Sequence, residues 1–219
     1  LYTGGDSNSE SIFRLALAVN NNWSANACGN VWTTYGGLPS QRMRNLIADT
    51  DCRGSLYLPT IKKGSYTQLQ YGGKFWFGGG NPSYATNYIL NAPEMELIIA
   101  ESKLRAAQPD LHGAKEALLA VARRNSKITG VNDLGDTKEK VFAFLKDERA
   151  RELFQEGFRF YDLRRWGEKA DVYANVEDQV SYKYTNFDIA QFCFPVPSDE
   201  INAGFGITQT PDWNKYLPQ

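Results

Sequence analysis

A chain of 219 residues is long enough for one large domain or two small ones, and it can bury a substantial core without disulfide or metal staples. Its 24 lysines and arginines face 25 acidic residues, a formal net charge of −1, so the balance carries no electrostatic footprint for nucleic acid. A hydrophobic fraction of 42% argues against intrinsic disorder, and the longest apolar run, residues 12–19, is interrupted by Arg14 and is too short to span a membrane.

The chain opens Leu-Tyr-Thr-Gly-Gly, without a signal peptide or lipidation motif, as expected of a cytosolic protein or of one whose targeting end has been removed. The first predicted element is a strand over 12–19, with Phe13, Leu15, Leu17 and Val19 on one face and Arg14 on the other. Loop signals follow: Asn20-Asn21-Asn22-Trp23, then Tyr35-Gly36-Gly37, then a Gly-rich stretch from Tyr71-Gly72-Gly73 to Gly78-Gly79-Gly80-Asn81-Pro82. Residues 91–170 read as helical. Pro93 and Glu94 mark a start, and the run from Met95 to Ala107 is apolar on most faces, which predicts a deeply buried helix. Asp110 caps a second helix bearing Ala114, Ala117, Leu118, Val121 and Ala122, so the two form a hairpin of the tetratricopeptide kind. A third helix is expected from Asp136, with Glu139 three residues on, through Val141, Phe142, Leu145 and Leu153 to a stop at Gly157. The tail is aromatic and Pro-punctuated, with one helical turn at 198–202. The organisation expected is thus a strand- and loop-rich part over 1–90, a helical core over 91–170 and a tail over 171–219.

Most chemical motifs are absent. Gly73-Lys74 is followed by Phe75, so no phosphate loop is formed, and no G-x-S-x-G, H-E-x-x-H or C-x-x-C occurs. A triad would have to use His112, the single histidine, whose place at a helix start suits a solvated or capping role. No pair stands out among the carboxylates for glycoside hydrolysis. No metal site or cofactor is expected. Cys193, between two phenylalanines, reads as a small buried hydrophobe, and pairing of Cys28 with Cys52 is left open. The cluster 146–152 reads as a helix laced with pairs such as Asp147 to Arg151. A stronger version has Glu148, Arg149 and Arg159 partly buried and holding helices in register. Next comes 157–167, where arginines alternate with aromatic faces and packing is the expected role.

The stretches Leu145-Lys146-Asp147-Glu148-Arg149-Ala150-Arg151-Glu152-Leu153 and Gly157-Phe158-Arg159-Phe160-Tyr161-Asp162-Leu163-Arg164-Arg165-Trp166-Gly167 resemble the SusD/RagB family. So do Phe194-Pro195-Val196-Pro197-Ser198-Asp199-Glu200-Ile201, Thr208-Gln209-Thr210-Pro211, Glu94 to Ser102, and Glu10-Ser11-Ile12-Phe13. The resemblance extends over almost the whole chain but only the C-terminal half of a typical member; the signal peptide, the lipid-bearing cysteine and the N-terminal helices have no counterpart here. It implies a mainly α, SusD-like helical fold with a tetratricopeptide-like hairpin, long aromatic-rich loops and a few short strands. It also implies a non-catalytic lipoprotein of the outer-membrane surface in Bacteroidota, one that passes nutrients to a SusC-like TonB-dependent transporter in starch or polysaccharide utilisation. Its lipid anchor would lie outside this chain. Glycans are the usual cargo, and some relatives take peptides.

The residues suit that role. Twelve tyrosines, twelve phenylalanines and five tryptophans make 13% of a chain with one histidine, which favours flat stacking surfaces over acid–base chemistry. A sugar ring offers an apolar face to such surfaces and hydroxyls to planar amides. In related proteins the platform includes loop residues before the helical hairpin. In this sequence the first candidates there are Trp23, Trp32 and Tyr35, with Asn22 and Asn30 as hydroxyl partners; Trp76 and Tyr84, flanking the triple glycine, come second. Trp166 and Trp213 lie in the matching scaffold blocks and read as packing. Binding of a peptide or other small nutrient in the same cavity, as by a RagB-like protein, is the alternative, and a glycoside hydrolase a more distant one.

Overall fold

The computed structural model describes residues 8–17, 20, 41–57, 61–63, 66–68, 74, 86–176, 179–188 and 195–210. The fold is mainly helical and divides into two compact units, Leu1–Phe154 and Gln155–Gln219; the boundary falls within the stretch 91–170.

In the first unit, β1 (Ser11–Leu15) leads, by way of α1 (Gln41–Leu46), a 3-10 turn (Cys52–Tyr57) and a small hairpin of β2 (Ile61–Lys63) and β3 (Tyr66–Gln68), to β4 (Asn87–Asn91), its antiparallel partner. β1 is shorter than the predicted strand, and its alternation fails. Register shifts on either side of Phe13 insert bulges, so Ile12 and Phe13 are both at least half exposed instead of taking opposite faces. Cys52 is exposed with a free thiol; Cys28 and Cys193 lie outside the described residues.

Three helices build the core: α2 (Ala92–Arg105), α3 (Leu111–Ala122) and α4 (Lys138–Glu152). Pro93 in the first turn of α2 spares an orphan N–H, and the Glu10 carbonyl accepts the Ala92 N–H at 2.8 Å. Asp110 caps α3 as expected, its carboxylate accepting from the Gly113 N–H at 2.8 Å. The alanines predicted for the α3 face are all buried, and Leu97 and Leu104 of α2, Leu118 of α3 and Val141 and Leu145 of α4 are completely so. Small residues on α3 let the neighbouring helix come close. Deep burial of α2, however, does not hold. It packs through one face on α3 and α4, while its second apolar face leaves Ile98 and Ile99 each 43% exposed.

The start and stop of α4 also differ from expectation. Thr137, not Asp136, is the N-cap, accepting from the Lys140 N–H, while Asp136 pairs with the Lys140 ammonium at 2.8 Å. The helix ends at Glu152, and Gly157 instead stands as the N-cap of the next one, in a left-handed backbone conformation (φ +85°) that glycine adopts without strain. Before α4 the chain makes a 3-10 turn (Val131–Leu134) closed by Gly135 at φ +114°. A Cβ there would sit 2.9 Å from that of Lys140. Gly135→Ala is therefore expected to cost about 1–3 kcal/mol in urea unfolding, and an unchanged midpoint would show that this turn can relax.

The second unit contains α5 (Phe158–Trp166), a long antiparallel hairpin of β5 (Lys169–Val176) and β6 (Gln179–Asp188), and α6 (Ser198–Asn202), the predicted short turn. The Gln209 side-chain amide accepts from the Val196 N–H at 2.8 Å and donates to the Val196 carbonyl at 3.0 Å. This clamp ties together the two tail blocks, 194–201 and 208–211, that are separate in sequence.

Candidate ligand-binding site

The best-defined polar structure of the first unit lies at the C-terminal end of α4. Arg53 is 5% exposed and projects from the 3-10 turn into three carboxylates. Its Nη1 donates to Glu148 Oε1 at 2.7 Å and to Glu152 Oε2 at 2.9 Å, while Nη2 and Nε hold both oxygens of Asp51. Glu152 also accepts from Arg124 Nε at 2.9 Å, and Arg124 Nη2 reaches Glu10 beside β1 at 2.9 Å. The backbone places Arg53: Cys52 N–H donates to the Arg124 carbonyl and Ser126 N–H to the Thr50 carbonyl, sewing 50–52 to the end of α3.

Charge follows from this geometry. Burial pushes the Asp51 carboxyl up, but the hydrogen bonds and charge of Arg53 outweigh it, and Asp51 titrates below the ordinary carboxylate range. Burial pulls the Arg53 guanidinium down, and Asp51, Glu148 and Glu152 together hold it above the ordinary arginine range instead. Arg124 behaves alike through Glu152 and Glu10. Each carboxylate here is already engaged by a guanidinium, so the cluster is a clamp rather than a cation site. Among the described residues no group of three or more histidine, cysteine or acidic side chains is arranged to hold a metal.

A buried lysine completes the clamp. Lys74 is 2% exposed, and its Nζ donates to the carbonyls of Glu152 at 2.6 Å and Phe154 at 2.9 Å, at the end of α4. Three segments thus meet on Glu152, whose carboxylate receives Arg53 and Arg124 and whose carbonyl receives Lys74, and Arg124 bridges on to Glu10.

The predicted ligand contacts Asn22, Trp23, Asn30, Trp32, Tyr35, Trp76 and Tyr84 all lie outside the described residues. In sequence, residues 21–40 lie between β1 and α1, whose Leu46 carbonyl accepts from Arg151 at 3.4 Å. Lys74 belongs to the Gly-rich segment that carries Trp76.

Sequence reasoning anticipated burial of Glu148 and Arg149, which are 1% and 4% exposed. It missed Arg53, Asp51, Arg124, Glu10 and Lys74, whose partners are up to 114 residues away. Arg151 was expected to pair with Asp147; it turns instead to Glu148 at 2.8 Å, the more buried carboxylate.

In the second unit, Arg165 and Arg159 place their guanidiniums 4.7 and 5.9 Å from the centre of the Trp166 ring. Asp162 is buried and accepts from Arg165 Nε and Nη2 at 3.0 and 2.9 Å. Phe160 and Tyr161 meet edge to face, leaving Tyr161 64% exposed. The packing expected for this segment is present, with Trp166 half-buried between two cations.

The order of these blocks decides the family. The model of the SusD family matches residues 84–213. The chain belongs to the SusD family. Its fold resembles a SusD superfamily protein from Bacteroides vulgatus (24% identity, TM-score 0.67, 97% of this chain and 47% of the other). It also resembles one from Bacteroides thetaiotaomicron (23%, 0.66, 95% and 50%). A SusD-like carbohydrate binding protein from Bacteroides vulgatus is similar at 19% identity and TM-score 0.57, over 84% of this chain and 42% of the other. This SusD-family chain spans about half the length of those structures. Comparison with curated proteins returns no match.

The SusD match has a physical reading. It begins at residue 84, so it takes in α2 to α6 and the Gln209 clamp, while Asn22, Trp23, Asn30, Trp32, Tyr35 and Trp76 precede it and Tyr84 is its first residue.

Proposed function

We propose that the chain binds an oligosaccharide or polysaccharide without altering it, through stacking on Trp23, Trp32 and Tyr35, with Asn22 and Asn30 holding hydroxyls and Trp76 and Tyr84 adding a second surface. Membership of the SusD family carries this reading. It is supported by fold likeness to a protein described as carbohydrate binding and by the concentration of aromatics and amides in the segments that precede the matched scaffold. Trp and Tyr faces match the apolar faces of pyranose rings, and side-chain amides donate and accept at once, as hydroxyls require.

The non-catalytic reading is supported by the described titratable groups. His112 is exposed and lies 3.3 Å from Glu116, and the buried carboxylates of the α4 clamp are engaged by arginines. The reading extends to the cell: a surface position on the outer membrane, held by a lipid anchor outside this chain, delivering glycan to a SusC-like TonB-dependent transporter. No described helix is long and apolar enough to cross a membrane.

The test is a titration of intrinsic tryptophan emission with a panel of oligosaccharides and short peptides. A saturable change with one glycan class is expected. A response to peptides alone would transfer the site to peptide binding, and release of reducing sugar would show turnover. With a responding glycan, Trp23→Ala and Trp32→Ala are each expected to weaken binding about tenfold or more, the scale of one lost stacking anchor.

A further inference from the structure

We infer that Phe205 is a further saccharide-stacking residue, presented to solvent on a preformed loop of the second unit. The inference rests on the glycan reading proposed above and adds a contact to it.

The loop runs from Val196 to Gln209 and is closed at its base by the two hydrogen bonds between them. The same Gln209 Oε1 accepts from the Thr210 N–H at 3.0 Å, which fixes the orientation of the amide. Inside the loop, the Glu200 and Ile201 N–H groups donate to the Pro197 carbonyl and the Ala203 N–H to that of Asp199, so α6 forms one limb. Gly204-Phe205-Gly206 turns into the other. Both glycines hold left-handed backbone, at φ +79° and +74°, which residues with side chains rarely adopt. A Cβ at either position would meet nothing within 4 Å, so these glycines serve the turn and not close packing. Between them Phe205 is 82% exposed, the highest value among the described large hydrophobic residues.

A single exposed apolar residue is ordinary on a protein surface. This one stands between two neighbours that have no side chain to lay on its ring, at a turn that only glycines hold easily. The ring is an open flat plate on a loop tied at its base, so less conformational freedom is lost when a ligand settles on it. Its surroundings choose the ligand. Asn202 and Thr208, three residues to either side, are exposed and supply an amide and a hydroxyl, while Ile207 is 39% exposed. A stable protein partner needs about 800 Å² on each side, with an apolar centre. One phenylalanine and part of an isoleucine among glycines and polar residues fall well short of that. A pyranose needs only one apolar plate, with groups beside it that donate to and accept from hydroxyls.

The experiment follows the amide NMR signals of 204–206 in the whole chain during titration with the oligosaccharides and short peptides of the panel, beside the tryptophan emission. A saturable shift of these amides with an oligosaccharide is expected. It should weaken about tenfold in Phe205→Ala, the scale of one lost anchor, and persist in Phe205→Trp, which keeps a flat ring. The urea midpoints of both variants should match wild type, because the ring is exposed. An undiminished response in Phe205→Ala would overturn the inference, as would shifts with peptides alone, which would assign the loop to a protein contact. An emission change with a glycan but no shift at 204–206 would also overturn it, while leaving the function proposed above in place. Shifts at 204–206 without an emission change would support Phe205 and count against the loop tryptophans. Silence of both signals would defeat the two readings together.

Discussion

Arg53→Met is expected to destabilise the chain by about 3–5 kcal/mol at neutral pH, the effect of removing one partner from a buried ionic cluster. Asp51, Glu148 and Glu152 would be left at 5%, 1% and 6% exposure without their shared cation, keeping only the outer arginines 124 and 151. The pH dependence carries the sign of the effect. In the wild type, Asp51 titrates below its ordinary value, so its contribution is complete above about pH 4 and is lost as the pH falls through the folded value. In the variant, burial without Arg53 pushes the Asp51 carboxyl up, so it takes up a proton on folding and acid relieves it. The stability gap between the two proteins should therefore narrow as the pH is lowered from 7 towards about 4.5. Urea unfolding at both pH values measures it. A gap that stays constant would mean that the loss comes from packing and not from stranded charge.

Leu118→Ala is the second large effect expected, at about 3 kcal/mol. Leu118 is completely buried in α3, among the alanines 114, 117 and 122 that allow close helix approach. Those alanines have no longer side chain to swing into the space, so the cavity cannot collapse readily. A loss of under 1 kcal/mol in urea unfolding would show that α2 and α3 slide together to fill it. Leu118→Met, which conserves volume, should cost less than about 1.5 kcal/mol.

The helical hairpin was legible in the sequence because its signals are local. Pro93, Asp110 and the spacing of Ala114, Ala117, Leu118, Val121 and Ala122 each act within one turn, and each corresponds to a cap or a buried face. The turn at 198–202 was legible on the same grounds. The hairpin of β5 and β6 was missed although its pattern is visible: Val180, Tyr182 and Tyr184 alternate, and only two residues separate the paired Val176 and Gln179. Its place in an aromatic tail hid it. Gly157 misled because a glycine after a helix reads as a stop, and nothing in sequence tells a C-terminal stop from the N-cap of the next helix. The second apolar face of α2 misled in another way, since composition reports how apolar a face is and not what covers it. The clamp around Glu152 was illegible for a different reason. Arg53 and Glu152 are 99 residues apart, and ion pairs at such separations leave no periodicity to read. For the candidate site, the sequence supplied residue types suited to sugar and a family that fits them, while those residues lie outside the described ones.

The most direct measurement is calorimetric titration of wild type and of the Trp23→Ala/Trp32→Ala double variant with the glycan that quenches tryptophan emission. Saturable binding by the wild type, weakened at least tenfold in the double variant while its melting temperature is kept, is the result expected of a stacking platform on these loops. Equal affinity in the two proteins would contradict that platform, and absence of binding to every glycan tested would contradict glycan recognition by this chain.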